Sequence, residues 1–414
     1  MDLELSDDES ALRDNVRSVL TGICPPSAVR AIHEGKGDGW GIWAQMVELS
    51  WPALAIAEEH GGLGMGFVEV AIVAEELGRL VVPGPFLATV TQFAPAVREV
   101  GALGGGGGSA LAVDLLGRVA AGDLTGTVAQ AEGAVWAASP AMTATATAVA
   151  GDDGGGWVLQ GTKGPVLDGT TAAEVLVVAQ GPDGLGAFVV PGPALTAGAA
   201  ARPVVDPTLP IADLTLDGVA VPADRVLAAP GTPGVAEALE RAGHEAVVAL
   251  ATATVGTCRA IFEQTVAYTK VREQFGRPIG SFQALKHRMA DMYLALERAA
   301  ALCYYAVLTI SEDTPQRATA ASMAKAAAGE CQRLIVRDGL QLHGGIGYTW
   351  ENDLHFLLKR GLAGDALYGS AVQHRALLAR RLGLLPGDGG VGSATGAGPG
   401  LHGANAAVND EEGR

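Results

Sequence analysis

The sequence predicts an α+β multidomain protein with an N-terminal α-helical domain, a middle β-domain and a C-terminal four-helix bundle. Three observations carry this. Apolar residues recur at three- and four-residue spacing over 1–102 and again over 229–384, the period of a helix with one buried face. Between them, over 111–228, short β-branched runs such as EVLVVAQ and GAFVVPG alternate with Gly, Pro and Asp, the pattern of strands joined by tight turns. At 414 residues the chain is long enough for two or three separate cores.

Each element has a local cause. Ser6-x-x-Glu9 is a capping box that opens a helix carrying Leu12, Val16, Val19 and Leu20 on one face. A second helical run spans Phe67 to Leu80, and the glycines of Gly61 to Gly66, which follow a helical region rather than a strand, read as a turn. Residues 103–110, within GALGGGGGSA, read as a flexible linker. In the C-terminal part, one long helix runs from Ala236 to about Lys270. Ser281 can N-cap a second, with Phe282, Leu285, Met289, Met292 and Leu296 on its apolar stripe. Pro315 can start a third that ends near Gly339, and a fourth begins at Asp353. Short connections make these an antiparallel bundle. Residues 385–414 lack apolar periodicity and read as a disordered tail.

Composition excludes several functions. A net charge of −17 leaves no clustered basic surface for nucleic acid, although a local basic pocket can still hold a small polyanion. No uninterrupted apolar run reaches the roughly 18 residues of a membrane span. The acidic, amphipathic N-terminus is the opposite of a secretion signal, and Cys24, Cys258, Cys303 and Cys331 are unpatterned, as in a reduced cytoplasmic protein. Metal-binding and nucleophile-elbow motifs are absent.

Two stretches carry chemistry. Val271 to Met292, VREQFGRPIGSFQALKHRMADM, sets Arg272, Arg277, Lys286, His287 and Arg288 around a turn between two helices. Helix N-termini with nearby arginines hold phosphate or pyrophosphate, and the same residues also suit an ordinary solvated turn. Gln341 to Leu354, QLHGGIGYTWENDL, pairs glycines at a helix end, which permits close backbone approach to a ligand or serves as a plain C-cap.

Together the two stretches resemble the C-terminal domain of flavin-dependent acyl-CoA dehydrogenases, in which R-x-x-F-G-x-x-I-x-x-F-Q precedes Q-x-x-G-G-x-G-Y by about sixty residues. The likeness is strongest over 234–382, extends to PALAIAEEHGGLGMGFVEVAIVAEELGR, and weakens through the middle domain. It implies that Arg272 and Phe275 contact the pyrophosphate and adenosine of an FAD in a neighbouring subunit, with Gln283, Gln341, Gly344 and Gly345 lining the same cofactor. It further implies desaturation of an acyl-CoA thioester, with a carboxylate removing the α-proton, the flavin taking the β-hydride and an electron-transfer flavoprotein as acceptor.

The chain departs from that pattern where the base belongs. One family position for the catalytic Glu falls on Tyr368, within AGDALYGS, and the other falls on Ala246. Glu245 is adjacent to the second, but one helical step turns a side chain by about 100°. Asp365 lies three residues short of the first. The usual T-E-P-G-A-G-S-D segment is replaced by VAQAEGAVWAASP, Val128 to Pro140, in which nothing comparable is evident. The aromatic expected after G-T-K is missing from GPVLDG. The chain therefore resembles the degenerate partner of heteromeric α2β2 members of the family known from actinobacteria, which often act on steroid side-chain CoA thioesters. A homo-oligomer using Glu245 or Asp365 as base, or a non-catalytic scaffold, are the other readings.

Overall fold

The computed structural model describes residues 5–103, 107–133, 142–149 and 155–385. The expected tail beyond Leu385, residues 104–106 of the Gly-rich linker and residues 134–140 of VAQAEGAVWAASP lie outside the described residues.

The N-terminal part is helical: α1 (Asp7–Ile23), α2 (Pro26–His33), α3 (Trp40–Glu48), α4 (Phe67–Arg79), a short α5 (Phe86–Ala88) followed by a π turn (Thr89–Phe93), α6 (Ala94–Gly101) and α7 (Gly107–Ala120). The Ser6–Glu9 capping box forms as expected, with both reciprocal hydrogen bonds present. Gly107 to Ala110 are not linker: they make the first turn of α7, which buries Leu111, Leu115, Leu116 and Val119 in the core that also holds Val97 of α6. Burial of that stripe outweighs the helix-breaking tendency of two glycines at its start.

The middle part is one sheet of β1 (Gly126–Ala129), β2 (Thr145–Val149), β3 (Gly156–Leu167), β4 (Glu174–Gly181), β5 (Gly184–Pro191), β6 (Ala199–Ala201), β7 (Ile211–Pro222) and β8 (Val226–Ala228), with a short α8 (Gly192–Leu195) after β5. Its order is β6-β7-β3-β2-β4-β5-β8, and β1 pairs in parallel with β4. Residues Val175 to Ala179 of β4 are buried on both faces, which is why EVLVVAQ is continuously apolar rather than alternating.

The C-terminal part comprises α9 (Val235–Val271), a β-hairpin of β9 (Glu273–Gln274) and β10 (Arg277–Pro278), α10 (Gln283–Ser311), α11 (Arg317–His343), α12 (Leu354–Ala366) and α13 (Ala371–Arg381). Ser281 does not cap α10. It ends a 3-10 turn, and Phe282 takes the N-cap position without a side-chain cap. The third long helix runs on past Gly339 to His343, and the fourth stops at Ala366 before a fifth begins. By length and composition α9 and α10 could cross a membrane. The most apolar window of α9 is 89% buried within the fold, whereas that of α10 is 39% buried.

The N-terminal domain and the bundle meet where α4 crosses α9. A Cβ on Gly78 would sit 1.8 Å from the Ala253 carbonyl oxygen, and one on Gly256 would sit 2.0 Å from that of Glu75, so each helix presents a glycine to the other's backbone. Thr257 Oγ1 then donates to the Gly78 carbonyl at 2.8 Å. All three parts are tied by Arg360 of α12, which donates to Asp206 at 2.6 Å, to Thr208 at 2.6 Å and to the Val82 carbonyl at 3.0 Å. Asp206, Thr208 and Arg360 are all buried.

Candidate active site

The N-terminal half of α9 sets Leu239, Ala242, Gly243, Ala246 and Val247 on one face, at the three- and four-residue spacing that stacks side chains along a helix. That face closes a small cavity with Gln92 of the π turn, Gln130 after β1 and Tyr368. Ala246 and Tyr368, far apart in sequence, therefore line one cavity, and among the described residues none that lines it is acidic. A second chamber of ≈ 180 Å³ adjoins it. Gln92, Val128, Gln130 and Tyr368 line both, and the outer chamber adds Pro165, Gly369 and Gln373, again without an acid among the described residues.

The two acids considered from the sequence point elsewhere. Glu245 turns to the opposite side of α9 and lines a separate cavity of ≈ 200 Å³ with Val70, Val90 and Leu116. Its carboxylate accepts from Arg98 at 2.5 Å and lies 3.7 Å from Arg317. Those arginines continue into a network with Glu99, Arg241 and Asp313 that joins α6, α9 and the start of α11. Asp365 accepts from the Ala371 backbone N–H at 2.9 Å and packs so closely on α11 that a Cβ at Gly329 would lie 2.3 Å from its Oδ1. Its charge helps to hold the buried Lys325 ammonium, which burial pulls down to about 8.

Tyr368 sits in a kink between α12 and α13. It has φ = 55°, and Gly369 after it has φ = 88°. A tyrosine in the left-handed region is strained by roughly 1–2 kcal/mol, so neighbouring contacts must hold it there. His374 Nε2 donates to the Tyr368 carbonyl at 2.9 Å, and the Ser370–Gln373 capping box fixes the start of α13. The phenol oxygen is buried without a hydrogen bond. Burial, with the nearby Asp168 carboxyl, pushes the phenol up, further from any role as a base.

Asp168 was not visible as a site residue in the sequence. It falls within GPVLDG, just after β3, and burial raises its carboxyl to about 7 against an opposing hydrogen bond from Thr171. It is absent from the lining of both chambers. The second missed feature is an ion pair. Glu132, within VAQAEGAVWAASP, accepts from Lys163 of the G-T-K run at 2.6 Å, and from Thr143 Oγ1 and the Thr143 and Ala144 backbone N–H groups. Burial alone would raise Glu132, but these donors hold it down to about 2. The acid of VAQAEGAVWAASP, Glu132, is thus fully engaged within the middle domain. Pro165, in the place of the aromatic, lines the outer chamber.

The residues expected to face a cofactor lie at the other end of the bundle. Arg272 follows the last turn of α9, Phe275 sits at the hairpin tip with φ = 55° and 92% exposure, and Gln283 opens α10. Gln341, Gly344 and Gly345 close α11. Tyr268 of α9 stacks on His343 at 4.6 Å, and Arg288 of α10 lies 3.9 Å from Asp338 of α11, so both stretches share one end of the bundle. Gly344 has φ = 63°, and an added Cβ on Gly344 or Gly345 would meet nothing within 4 Å, which leaves their backbone open. Along α9, Arg272 is 26 residues beyond Ala246, about 39 Å at 1.5 Å per residue.

These features agree with comparison to known proteins. Residues 6–115 match the acyl-CoA dehydrogenase N-terminal domain, and residues 233–383 match the acyl-CoA dehydrogenase C-terminal domain. The chain belongs to the acyl-CoA dehydrogenase family. Members are FAD-dependent oxidoreductases. The chain is 31% identical to the acyl-CoA dehydrogenase IpdE2 of Mycobacterium tuberculosis over 360 residues, 86% of this chain and 91% of that one. Among solved structures, the Tcur3481–Tcur3483 steroid ACAD, solved as a variant, shares 30% identity and a TM-score of 0.76, covering 91% of this chain and 98% of that one. The ChsE4–ChsE5 complex from Mycobacterium tuberculosis has a TM-score of 0.79 at 24% identity, covering 93% and 100%.

The described residues fit FAD at the bundle end. A guanidinium, two side-chain amides and open glycine backbone are the donors a pyrophosphate takes, and Phe275 offers an uncovered ring for a flat adenine.

Proposed function

We propose that this chain is the base-lacking subunit of a heteromeric, FAD-dependent acyl-CoA dehydrogenase, and that a homologous partner supplies the carboxylate for α-proton removal. The observation that carries this reading is the convergence of Ala246 and Tyr368 on one cavity whose lining, among the described residues, has no acid. Each of the two places from which the family delivers its base is occupied by a side chain unable to accept a proton at neutral pH.

Bound FAD would supply the acceptor for the β-hydride. This chain's part is to bind and orient it from the side: Arg272 opposite the pyrophosphate, Gln283 and Gln341 as amide donors, Gly344 and Gly345 offering backbone N–H groups. The separation of about 39 Å along α9 between Arg272 and Ala246 supports the donor residues serving a site in a neighbour rather than this chain's own cavity. The exposed apolar side chains at that end, Val271, Phe275 and Tyr348, together with the half-uncovered α10, suit burial in such an assembly. Retention of the constellation weighs against a scaffold role, which has no need of it. A steroid-derived acyl-CoA is the substrate class that the similarity to the Tcur3481–Tcur3483 enzyme favours.

The test is to purify the chain alone and together with a genomically adjacent homologue, and to measure FAD per chain and acyl-CoA oxidation. Activity is expected only in the co-purified complex. Full flavin loading and turnover by the solitary chain would sink the heteromer reading.

A further inference from the structure

The glycines with open backbone at the bundle end belong to a segment that is tied to two domains. On the bundle side, His343 stacks on Tyr268 at 4.6 Å, and its Nδ1 lies 2.8 Å from the Gly339 carbonyl oxygen. The 3-10 turn Gly344–Tyr348 follows, and Gly347 packs on Leu340 of α11. The other tie comes from the N-terminal domain. Arg30, in the last turn of α2, donates through Nη1 to the Trp350 carbonyl at 2.8 Å and through Nη2 to the Asp353 carboxylate at 2.5 Å. Its guanidinium also lies 5.6 Å from the centre of the Trp350 ring and 5.2 Å from that of Phe356, within cation–π range.

Arg30 works from a fixed base. Val29 is buried, and His33 packs its ring on Phe356 at 4.6 Å, so α2 is held against the start of α12. Trp350 in turn stacks on His355 at 4.5 Å, and Asp353 takes the N-cap position of α12. The Arg30 fork therefore sets where the segment ends, just as His343 sets where it begins. Gly344 and Gly345 lie between, with space around them, and glycine loses more freedom on ordering than any other residue. The Asp353 side chain is 46% exposed, so water screens the ion pair and it adds little to global stability. The close crossing of α4 and α9 already joins the two domains. A tie of this kind is suited to fixing one short stretch of backbone.

We propose that Arg30 is a positioning residue for FAD binding: from the N-terminal domain it presets the glycine segment 344–350 in the conformation that the cofactor meets. It acts through the Trp350 carbonyl and Asp353, not by touching the cofactor. This rests on the reading that the bundle end contacts FAD in a neighbour. It adds that two domains of this chain, rather than the bundle alone, assemble that face. Order present before binding lowers the entropic cost of binding, so the effect belongs in affinity.

The experiment uses the full chain co-purified with its genomically adjacent homologue. The Kd for FAD is read by equilibrium dialysis, the hydrogen exchange of residues 344–353 by mass spectrometry, and folding by thermal unfolding. Arg30→Ala should raise the Kd about tenfold, the equivalent of ordering roughly one more residue on binding. Exchange across 344–353 should quicken, with little change in Tm. Arg30→Lys keeps the charge, but one nitrogen cannot span both partners, so it should weaken FAD by a similar factor. It carries the test if Arg30→Ala does not assemble. An unchanged Kd in the folded variants would overturn the proposal. So would a raised Kd without faster exchange in the segment, or one that merely follows a large fall in Tm. Arg272→Ala, which alters the binding face itself, separates this claim from the reading beneath it. Weaker FAD binding in Arg272→Ala but not in the Arg30 variants would remove the positioning role alone. Unchanged affinity in all of them would remove the FAD reading of the bundle end as well.

Discussion

Replacing Glu245 by Gln separates a structural acid from a catalytic one. The carboxylate is 5% exposed and accepts one short hydrogen bond from Arg98, with Arg317 at 3.7 Å. A hydrogen bond to a charged partner contributes roughly 1.5–3 kcal/mol. The glutamine oxygen can still accept from Arg98, and both arginines keep other partners, Glu99 for Arg98 and Asp313 with the Arg241 carbonyl for Arg317. Arg98 is also 39% exposed along its side chain, so water screens part of the charge. The loss should therefore be about 1–2 kcal/mol, read as a lower urea midpoint with an unchanged m-value. Acyl-CoA oxidation by the assembled enzyme should be unaltered. The base of such a reaction contributes roughly 10²–10⁴ in rate. A fall of that size in Glu245→Gln, without loss of stability, would mean that Glu245 reaches the substrate and that the base is this chain's own.

Three further outcomes follow from the geometry. Arg360→Met leaves Asp206 as a buried, unpaired charge and should destabilise the protein by about 3–5 kcal/mol, while adding Asp206→Leu should recover most of it in chemical denaturation. Burial depresses His33 to about 4 despite the opposing Asp206 carboxylate. The unfolded chain therefore takes up the proton first, and the stability that neutral His33 contributes above its ordinary value near 6.5 is lost as pH falls from there towards 4. Between pH 7 and pH 5 the loss is about 2 kcal/mol, and His33→Phe should flatten that part of the pH–stability curve. Phe275→Ala should change stability by less than about 0.5 kcal/mol, since an exposed ring contributes little, yet lower the FAD retained by the complex in gel filtration monitored by flavin absorbance.

The helices were legible because their causes are local. The Ser6–Glu9 box and the stripe of Val16 and Leu20 state where α1 starts and which face it buries, and the structure agrees. Likewise the 100° step of a helix was enough to place Glu245 off the face that carries Ala246. What escaped the sequence depends on neighbours distant along the chain. Glu132 finds Lys163 thirty-one residues away only because β3 runs beside the segment that carries it. Asp168 is unusual only because it is buried, which no local pattern announces. Gly107 to Ala110 read as linker by composition, but the core that buries Leu111 and Leu115 draws the helix back through two glycines. Ser281 offered a capping hydroxyl, yet the 3-10 turn that ends on it passes the cap position to Phe282.

The length of α9 has a consequence for how such a chain evolves. Its Ala246 end closes the subunit's own cavity, while Arg272 caps its other end, so under the proposed function receiving and lending a cofactor would be separated by a rigid rod. Mutations can erode one end without disturbing the other. A duplicated subunit could then lose its own chemistry and still be retained by selection, because its copy depends on what the far end lends. Drift at the closed end would be silent, whereas a single change at the hairpin would be felt in another polypeptide.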